Sequence, residues 1–357
     1  MNQPIKVGLA LSGGGAIGAY QVGVIRALAE SGTEIHCIAG ASIGALNGAI
    51  LSSSASLEQG AARMGEIWHH LGTNEVLKFN KSAYLRILTQ YGLAMGLSPL
   101  LSKSGTLLGA LINGLGIRSF SALQDDESLL SDQPLIELMN QFLDPDALAS
   151  GTPLYASLYP TEGGFSDIIS CALAEFGVGK TQDSEFQLIQ ALPQTLQREA
   201  LLASAALPLL FQSREINGKH YSDGGMGGWA TLQGNTPVTP LVDAGCNMVI
   251  VTHLSDGSLW DRHHFPDTTV LEIRPQTSLS RNEGVLGGMK DLLGFTAENI
   301  DSWIDQGYRD TVAVMERIKA PIQSRQALNT SVSMLENSES HHAKSNALLQ
   351  SAMARLK

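Results

Sequence analysis

Two short apolar runs near the amino terminus each end in a glycine-punctuated turn and pass directly into a helical pattern. This doubled strand–turn–helix constrains the chain more than any other feature. Residues 5–12 (IKVGLALS) read as a buried strand, followed by Gly13-Gly14-Gly15 and a helix from about Gly18 to Ser31. Residues 35–41 (IHCIAGA) repeat the pattern, with a second turn and a helix from Ile43 into the fifties. Apolar runs of strand length alternating with helices predict an α/β fold on a mostly parallel central sheet flanked by helices.

With 357 residues, 43% of them hydrophobic, the chain has material for one large domain with appendages. Charged residues make up only 16% and the net charge is −11. That balance excludes a nucleic-acid partner, which needs clustered Lys and Arg, and constitutive electrostatic docking on anionic lipid. Cys37, Cys171 and Cys246 form no C-x-x-C pair, so neither a zinc site nor a disulfide framework is expected. The first strand begins at Lys6 without a signal-peptide pattern, and no apolar run reaches the ~18 residues of a membrane span, so a cytoplasmic, soluble protein is expected.

Further along, residues 57–72 read as an amphipathic helix and residues 84–117 as an apolar, glycine-rich stretch. The latter falls in a helical insertion over the sheet, about 53–133, serving as ordinary core or as a lid or lipid-contacting surface. Residues 134–144 and 197–206 read as helices, and 152–164, 246–255 and 268–276 as strands. Residues 214–225 read as a hairpin turning at Asn217-Gly218. A helix from about Thr296 to Ile318 follows, and the polar tail 323–357 carries a short amphipathic segment at 345–357.

Gly13, Gly15 and Gly18 satisfy the G-x-G-x-x-G spacing of a dinucleotide cradle, which makes a nucleotide- or NAD-binding protein one alternative. That cradle also requires an acidic residue at the end of the second strand, where this chain has Ala39-Gly40-Ala41-Ser42. Gly40-Ala41-Ser42-Ile43-Gly44 is instead a G-x-S-x-G between strand and helix, the setting in which a sharp turn lifts a serine hydroxyl above the sheet. As a plain turn, it would use Ser42 as a helix N-cap. Both loops emerge at the carboxyl edge of a parallel sheet, so the amides of Gly13, Gly14 and Gly15 can face Ser42 as an oxyanion hole.

A serine nucleophile needs a base. An α/β-hydrolase-like Ser-Asp-His triad would recruit Asp223 and His253, but the serine arrives too early for that fold and His253 reads as a structural strand-end residue. Asp223, before Gly224 and Gly225, can point its carboxylate inward, or serve as a common turn residue. The histidine pairs at 69–70, 263–264 and 341–342 diverge in direction and read as solvated surface, not metal ligands.

The sequence SGGGAIG after the first strand, GASIG after the second, ASAALPLLF at 203–211 and DGG at 223–225 together resemble the patatin-like phospholipase family, over about residues 5–255. The resemblance implies a three-layer fold with a helical carboxyl-terminal part, a catalytic domain over 1–322 and a tail over 323–357. It implies a dyad of Ser42 as nucleophile and Asp223 as proton acceptor, with Gly13, Gly14 and Gly15 as oxyanion hole and Gly40, Gly44 and Gly224 supporting the turns. No metal or cofactor is implied. The implied substrates are acyl esters of phospholipids, lysophospholipids or neutral lipids, with room for transient contact at a membrane surface. Where the family has Arg or Lys before the last glycine of its loop, this chain has Ile17, which removes a positive charge beside the site.

Overall fold

Strand β1 (Val7–Leu11) is apolar throughout and buried from Gly8 onward, because it runs between two parallel neighbours with helices on both faces. The computed structural model describes residues 4–73, 133–161, 167, 181–207, 211–228, 231–255, 257, 260–282, 291 and 294–355. The chain divides into two units, Met1–Thr311 and Val312–Lys357. The apolar stretch expected at 84–117 lies outside the described residues.

In the first unit β1 is flanked by β2 (Cys37–Gly40) and by β7 (Met248–Thr252), which continues to β8 (Thr269–Ile273), all parallel. On the other side of β2 lies β3 (Leu154–Pro160), also parallel. The edge of β3 away from β2 pairs antiparallel with β4 (Glu185–Leu188); on the β2 edge, past the end of β2, β3 pairs antiparallel with β6 (Lys219–Asp223), and β6 pairs with β5 (Arg214–Ile216). The hairpin expected at 214–225 is present, with Asn217 at φ 52° and Gly218 at φ 80°, the left-handed pair that a two-residue turn requires. Strand order is β5-β6-β3-β2-β1-β7-β8.

Side chains alternate cleanly across the sheet. Ala10, Cys37, Ala39, Val249 and Val251 pack with Val238 and Leu241, the N-cap and a buried residue of the short helix Thr239–Asp243. Leu11, Ile38 and Leu154 face the opposite way, toward Gly48 of helix α2 (Ile43–Ser52). Cys37 and Cys246 are buried free thiols. Outside α2, α1 (Ala19–Glu30) and α3 (Leu57–Thr73) pack on each other, and the buried Gly60, Ala61, Met64, Ile67, Trp68 and Leu71 of α3 recur at helical spacing. Helices α4 (Gln133–Phe142), α5 (Pro145–Ser150) and α6 (Gln194–Ser204) follow; in chain order Thr239–Asp243 is then α7.

The carboxyl-terminal helix differs from expectation. It does not stop near Ile318 but runs from Ala297 to Arg355 as α8, passing from the first unit into the second. The physical reason is compositional: residues 308–357 contain no glycine and a single proline, Pro321, so polarity alone was a poor guide to a helix end. Among the described residues no helix is long and apolar enough to cross a membrane.

A buried polar chain fastens the helices behind the glycine loop. The Gln21 side-chain amide donates to the Ser12 carbonyl at 2.8 Å, and the Asn47 amide donates to Gln21 Oε1 at 2.8 Å and to the Gly18 carbonyl at 3.2 Å. The Trp68 indole N–H in turn donates to Asn47 Oδ1 at 3.0 Å. Asn47 thus joins α1, α2, α3 and the loop through one fully engaged side chain. Replacing Asn47 by Ala strands the indole N–H and the Gln21 carbonyl, and is expected to lower unfolding free energy by roughly 2–4 kcal/mol. Urea unfolding reads this as a lower midpoint at unchanged slope.

Candidate active site

Ser42 occupies the turn between β2 and α2 at φ 52° and ψ −125°, a left-handed conformation that a serine adopts only when its surroundings enforce it. The turn is tight because glycines leave room for backbone contact. A Cβ on Gly44 would lie 2.2 Å from the Leu11 carbonyl oxygen, and one on Gly40 would lie 2.4 Å from that of Gly44. Ser42 stands at the N-cap position of α2, yet its side chain makes no capping hydrogen bond. The plain-turn reading of this serine therefore fails, and the hydroxyl is left available at the carboxyl edge of the sheet.

Strand registry brings Asp223 to the same level. Gly40 pairs with Ala156 on β3, and Leu158, two residues on, pairs with Asp223 at the end of antiparallel β6. Ser42 is likewise two residues beyond Gly40. Asp223 and Ser42 therefore approach from strands of opposite direction that end at one height. The Asp223 N–H donates to the Ala206 carbonyl at 2.9 Å, and Gly224 lies so close to Ser157 that a Cβ would be 1.9 Å from its carbonyl oxygen.

The Asp223 carboxyl divides its two oxygens between the two roles the sequence left open. Oδ1 accepts the Gly225 N–H at 2.9 Å, as a turn residue does, while buried Oδ2 has no hydrogen-bond partner of normal geometry. Complete burial pushes the carboxyl up to about 6, against the downward pull of the Ser42 hydroxyl and the Gly225 N–H. The serine side chain is thus near enough to bias protonation of the aspartate.

The glycine loop is arranged differently from expectation in one respect. Gly13 lies against Ser42, since a Cβ there would be 3.1 Å from Ser42 Cβ. Its N–H, however, donates to the Asn235 carbonyl at 3.2 Å, so it is already engaged and is a poor oxyanion donor. The amides of Gly14 and Gly15 carry no such bond among the described residues, and Gly15 shares the wall of a cavity with Ser42. Asn235 was missed by the sequence reading. Its side-chain oxygen sits between the glycine loop and the turn after Asp223, 2.6 Å from where a Cβ on Gly13 would lie and 2.7 Å from one on Gly225.

His253 does not join the site. Its Nε2 pairs with Glu272 Oε2 at 3.0 Å, and its ring meets Trp260 edge-on at 5.6 Å. β7, which precedes it, is separated from β6 by β1, β2 and β3. The Ser-Asp-His alternative is corrected by this placement: the histidine is held by its own edge of the sheet.

Ser42 opens onto an apolar cavity of about 130 Å³. Its walls include Ile43, Leu46 and Ile50 of α2, Ile67, Trp68 and Leu71 of α3, Leu138, Met139 and Phe142 of α4, and Phe295. Leu207 and Phe211, which follow α6, close another side. Trp68 stacks on Phe295 with ring centres 5.8 Å apart, giving one wall a flat aromatic face. Among the described residues no cluster of three or more His, Cys, Asp or Glu side chains has the arrangement of a metal site.

Burying a carboxylate whose proton affinity is raised opposes folding where the group is charged. Between the ordinary value of 3.8 and about 6 the folded state binds more proton than the unfolded one, so stability falls as pH rises through this window. Asp223→Asn removes the buried charge and is expected to stabilise the protein by about 3 kcal/mol above pH 7. Denaturation of both proteins from pH 4 to pH 8 checks this, since the advantage should vanish toward the acid end.

The patatin-like phospholipase family model matches residues 9–242. Among curated proteins the chain is 49% identical over 70 residues to "Lysophospholipase nte1" of Aspergillus terreus, covering 18% of this chain and 5% of that protein. It is also 49% identical over 53 residues to "Patatin-like phospholipase domain-containing protein 7" of Mus musculus, covering 15% of this chain and 4% of that one. The matched regions therefore span only a small fraction of these relatives' length. Among solved structures, VipD from Legionella pneumophila aligns over 88% of this chain and 67% of its own at 14% identity and a TM-score of 0.40. The type III effector ExoU aligns over 88% and 53% at 15% identity and a TM-score of 0.37. The family match covers more than half of the chain and contains the glycine loop, the serine turn and the buried aspartate: the protein belongs to the patatin-like phospholipase family.

Proposed function

We propose that the protein is a serine acyl hydrolase that cleaves fatty-acyl esters of lysophospholipids, phospholipids or neutral lipids. The observation that carries this reading is one juxtaposition. A serine whose hydroxyl makes no capping bond stands at the wall of an apolar cavity, beside a buried carboxyl on which that hydroxyl acts. The lysophospholipase name of the fungal relatives supports the lipid class. Its matching segment is short, so the choice among head groups rests on the assay below.

In the proposed reaction the Asp223 carboxylate accepts the Ser42 proton as Oγ attacks the ester carbonyl carbon. The negative charge that develops on the carbonyl oxygen is met by the Gly14 and Gly15 amides, assisted by that of Ile43 at the start of α2. Breakdown of this intermediate passes the proton from Asp223 to the leaving alcohol and leaves the acyl group on Ser42. Water then attacks the acyl-enzyme, losing its proton to Asp223, and the fatty acid departs as Ser42 recovers its own. The cavity holds the acyl chain by apolar contact, and the elevated proton affinity of Asp223 makes it a stronger base than a solvated carboxylate. The same reading includes a cytoplasmic location and transient contact with a lipid surface, where the substrates lie.

Labelling with a fluorophosphonate probe and hydrolysis of lysophosphatidylcholine and of nitrophenyl esters of increasing chain length test this reading. Ser42→Ala is expected to lose labelling and to lose activity by about 10⁴-fold or more. Hydrolysis by Ser42→Ala at the wild-type rate would overturn it. Asp223 must be ionised to accept a proton, so kcat/KM is expected to fall below a midpoint near pH 6, about tenfold per pH unit. A pH–rate profile with its acid limb near pH 4 would assign the base elsewhere.

A further inference from the structure

We infer that Ser204 is a positioning residue for the Ser42–Asp223 pair, holding the strained serine turn through its hydroxyl. The inference rests on the dyad reading above and extends it to a residue outside the dyad and the glycine loop. Ser204 is the last residue of α6 and is fully buried. Its Oγ accepts the Ser42 N–H at 3.1 Å and donates to the Ser157 carbonyl at 2.7 Å. Both its acceptor and its donor capacity are thus used, in a fixed direction, by one backbone group from each side of the site.

The two contacts matter because of what they join. The Ser42 N–H is the amide of a serine at φ 52°, and among the described residues its only acceptor is Ser204 Oγ. Ser157 sits on β3 next to Leu158, the register partner of Asp223. Two residues past Ser204, the Ala206 carbonyl accepts the Asp223 N–H at 2.9 Å. Ala205 and Leu207, on either side of Ala206, line the cavity. One short segment therefore holds the backbone of the nucleophile, the backbone of the base and part of the acyl wall. Ser204 supplies the nucleophile's share through a side chain, which makes that share separable by mutation.

Loss of the hydroxyl lets the Ser42 turn relax without touching substrate or proton acceptor. Ser204→Ala is expected to lower kcat about 10- to 100-fold per titrated active site, with KM for a nitrophenyl butyrate substrate changed by less than about twofold. The acid limb of its pH profile should stay where the wild-type limb lies, because Asp223 keeps its burial. Ser204→Thr restores Oγ and should recover most of the lost rate, and Ser204→Cys serves the same purpose if either variant fails to fold. Ser222→Ala is the control. It deletes another buried hydroxyl, beside Asp223 and without a hydrogen-bond partner, and should leave kcat within about twofold of wild type. Wild-type kcat per titrated site in Ser204→Ala, or a loss matched by Ser222→Ala, overturns the positioning role. Ser42→Ala measured in parallel separates the two levels: wild-type activity there sinks the dyad reading and this inference with it. An inactive Ser42→Ala beside an unimpaired Ser204→Ala sinks the positioning role alone.

Discussion

A serine held at φ 52° costs the fold on the order of 1–3 kcal/mol, and the rest of the site follows from what keeps it there. Below it, Gly44 rides on the Leu11 carbonyl so closely that β1, β2 and α2 become a single corner. Above it, the Ser42 amide is taken by Ser204. Behind it, Asn47 and Gln21 lock the second helix to the first and to the glycine loop. The turn is over-determined by contacts from segments far apart in the chain, which is the condition under which such backbone strain persists.

Much of this was visible in the residues themselves. Continuous apolar runs gave β1 and β2 because both faces of those strands are covered, and the Asn217-Gly218 turn gave the hairpin because that pair accepts positive φ. The glycine spacing around Ser42 also signalled its turn, since close backbone approach is a local steric demand. What stayed hidden depends on partners that meet only after folding. Gly13 and Asn235 are separated by most of the domain, so nothing near Gly13 reveals that its N–H is already engaged. Ser204 stood out only as part of the ASAALPLLF segment, and what its hydroxyl holds stayed hidden because its two partners come from other strands and turns. The 59-residue helix was missed for a different reason: its polar surface resembles a loop in composition but lacks the glycines that would end it.

Ile17 acquires a clearer meaning in the folded chain. It lies half-buried in the single 3₁₀ turn Gly15–Gly18, and its N–H closes that turn on the Gly14 carbonyl at 3.2 Å. Its backbone contribution to the loop is therefore one that a lysine or arginine would make equally. What differs is the charge beside the Gly14 and Gly15 amides, where this position supplies no side-chain cation.

The antiparallel entry of β6 has a consequence for how this architecture tolerates change. Side chains alternate faces along a strand, so a slip of one residue between β6 and β3 would turn Asp223 to the other side of the sheet. The approach of Asp223 to Ser42 is in this sense a parity condition on strand registry, enforced by a hairpin whose turn contains only Asn217 and Gly218. Length variation at the tip is neutral if the ladder beyond it is kept. A single-residue insertion between Lys219 and Asp223 would preserve most of the sheet while turning the Asp223 carboxyl away from Ser42.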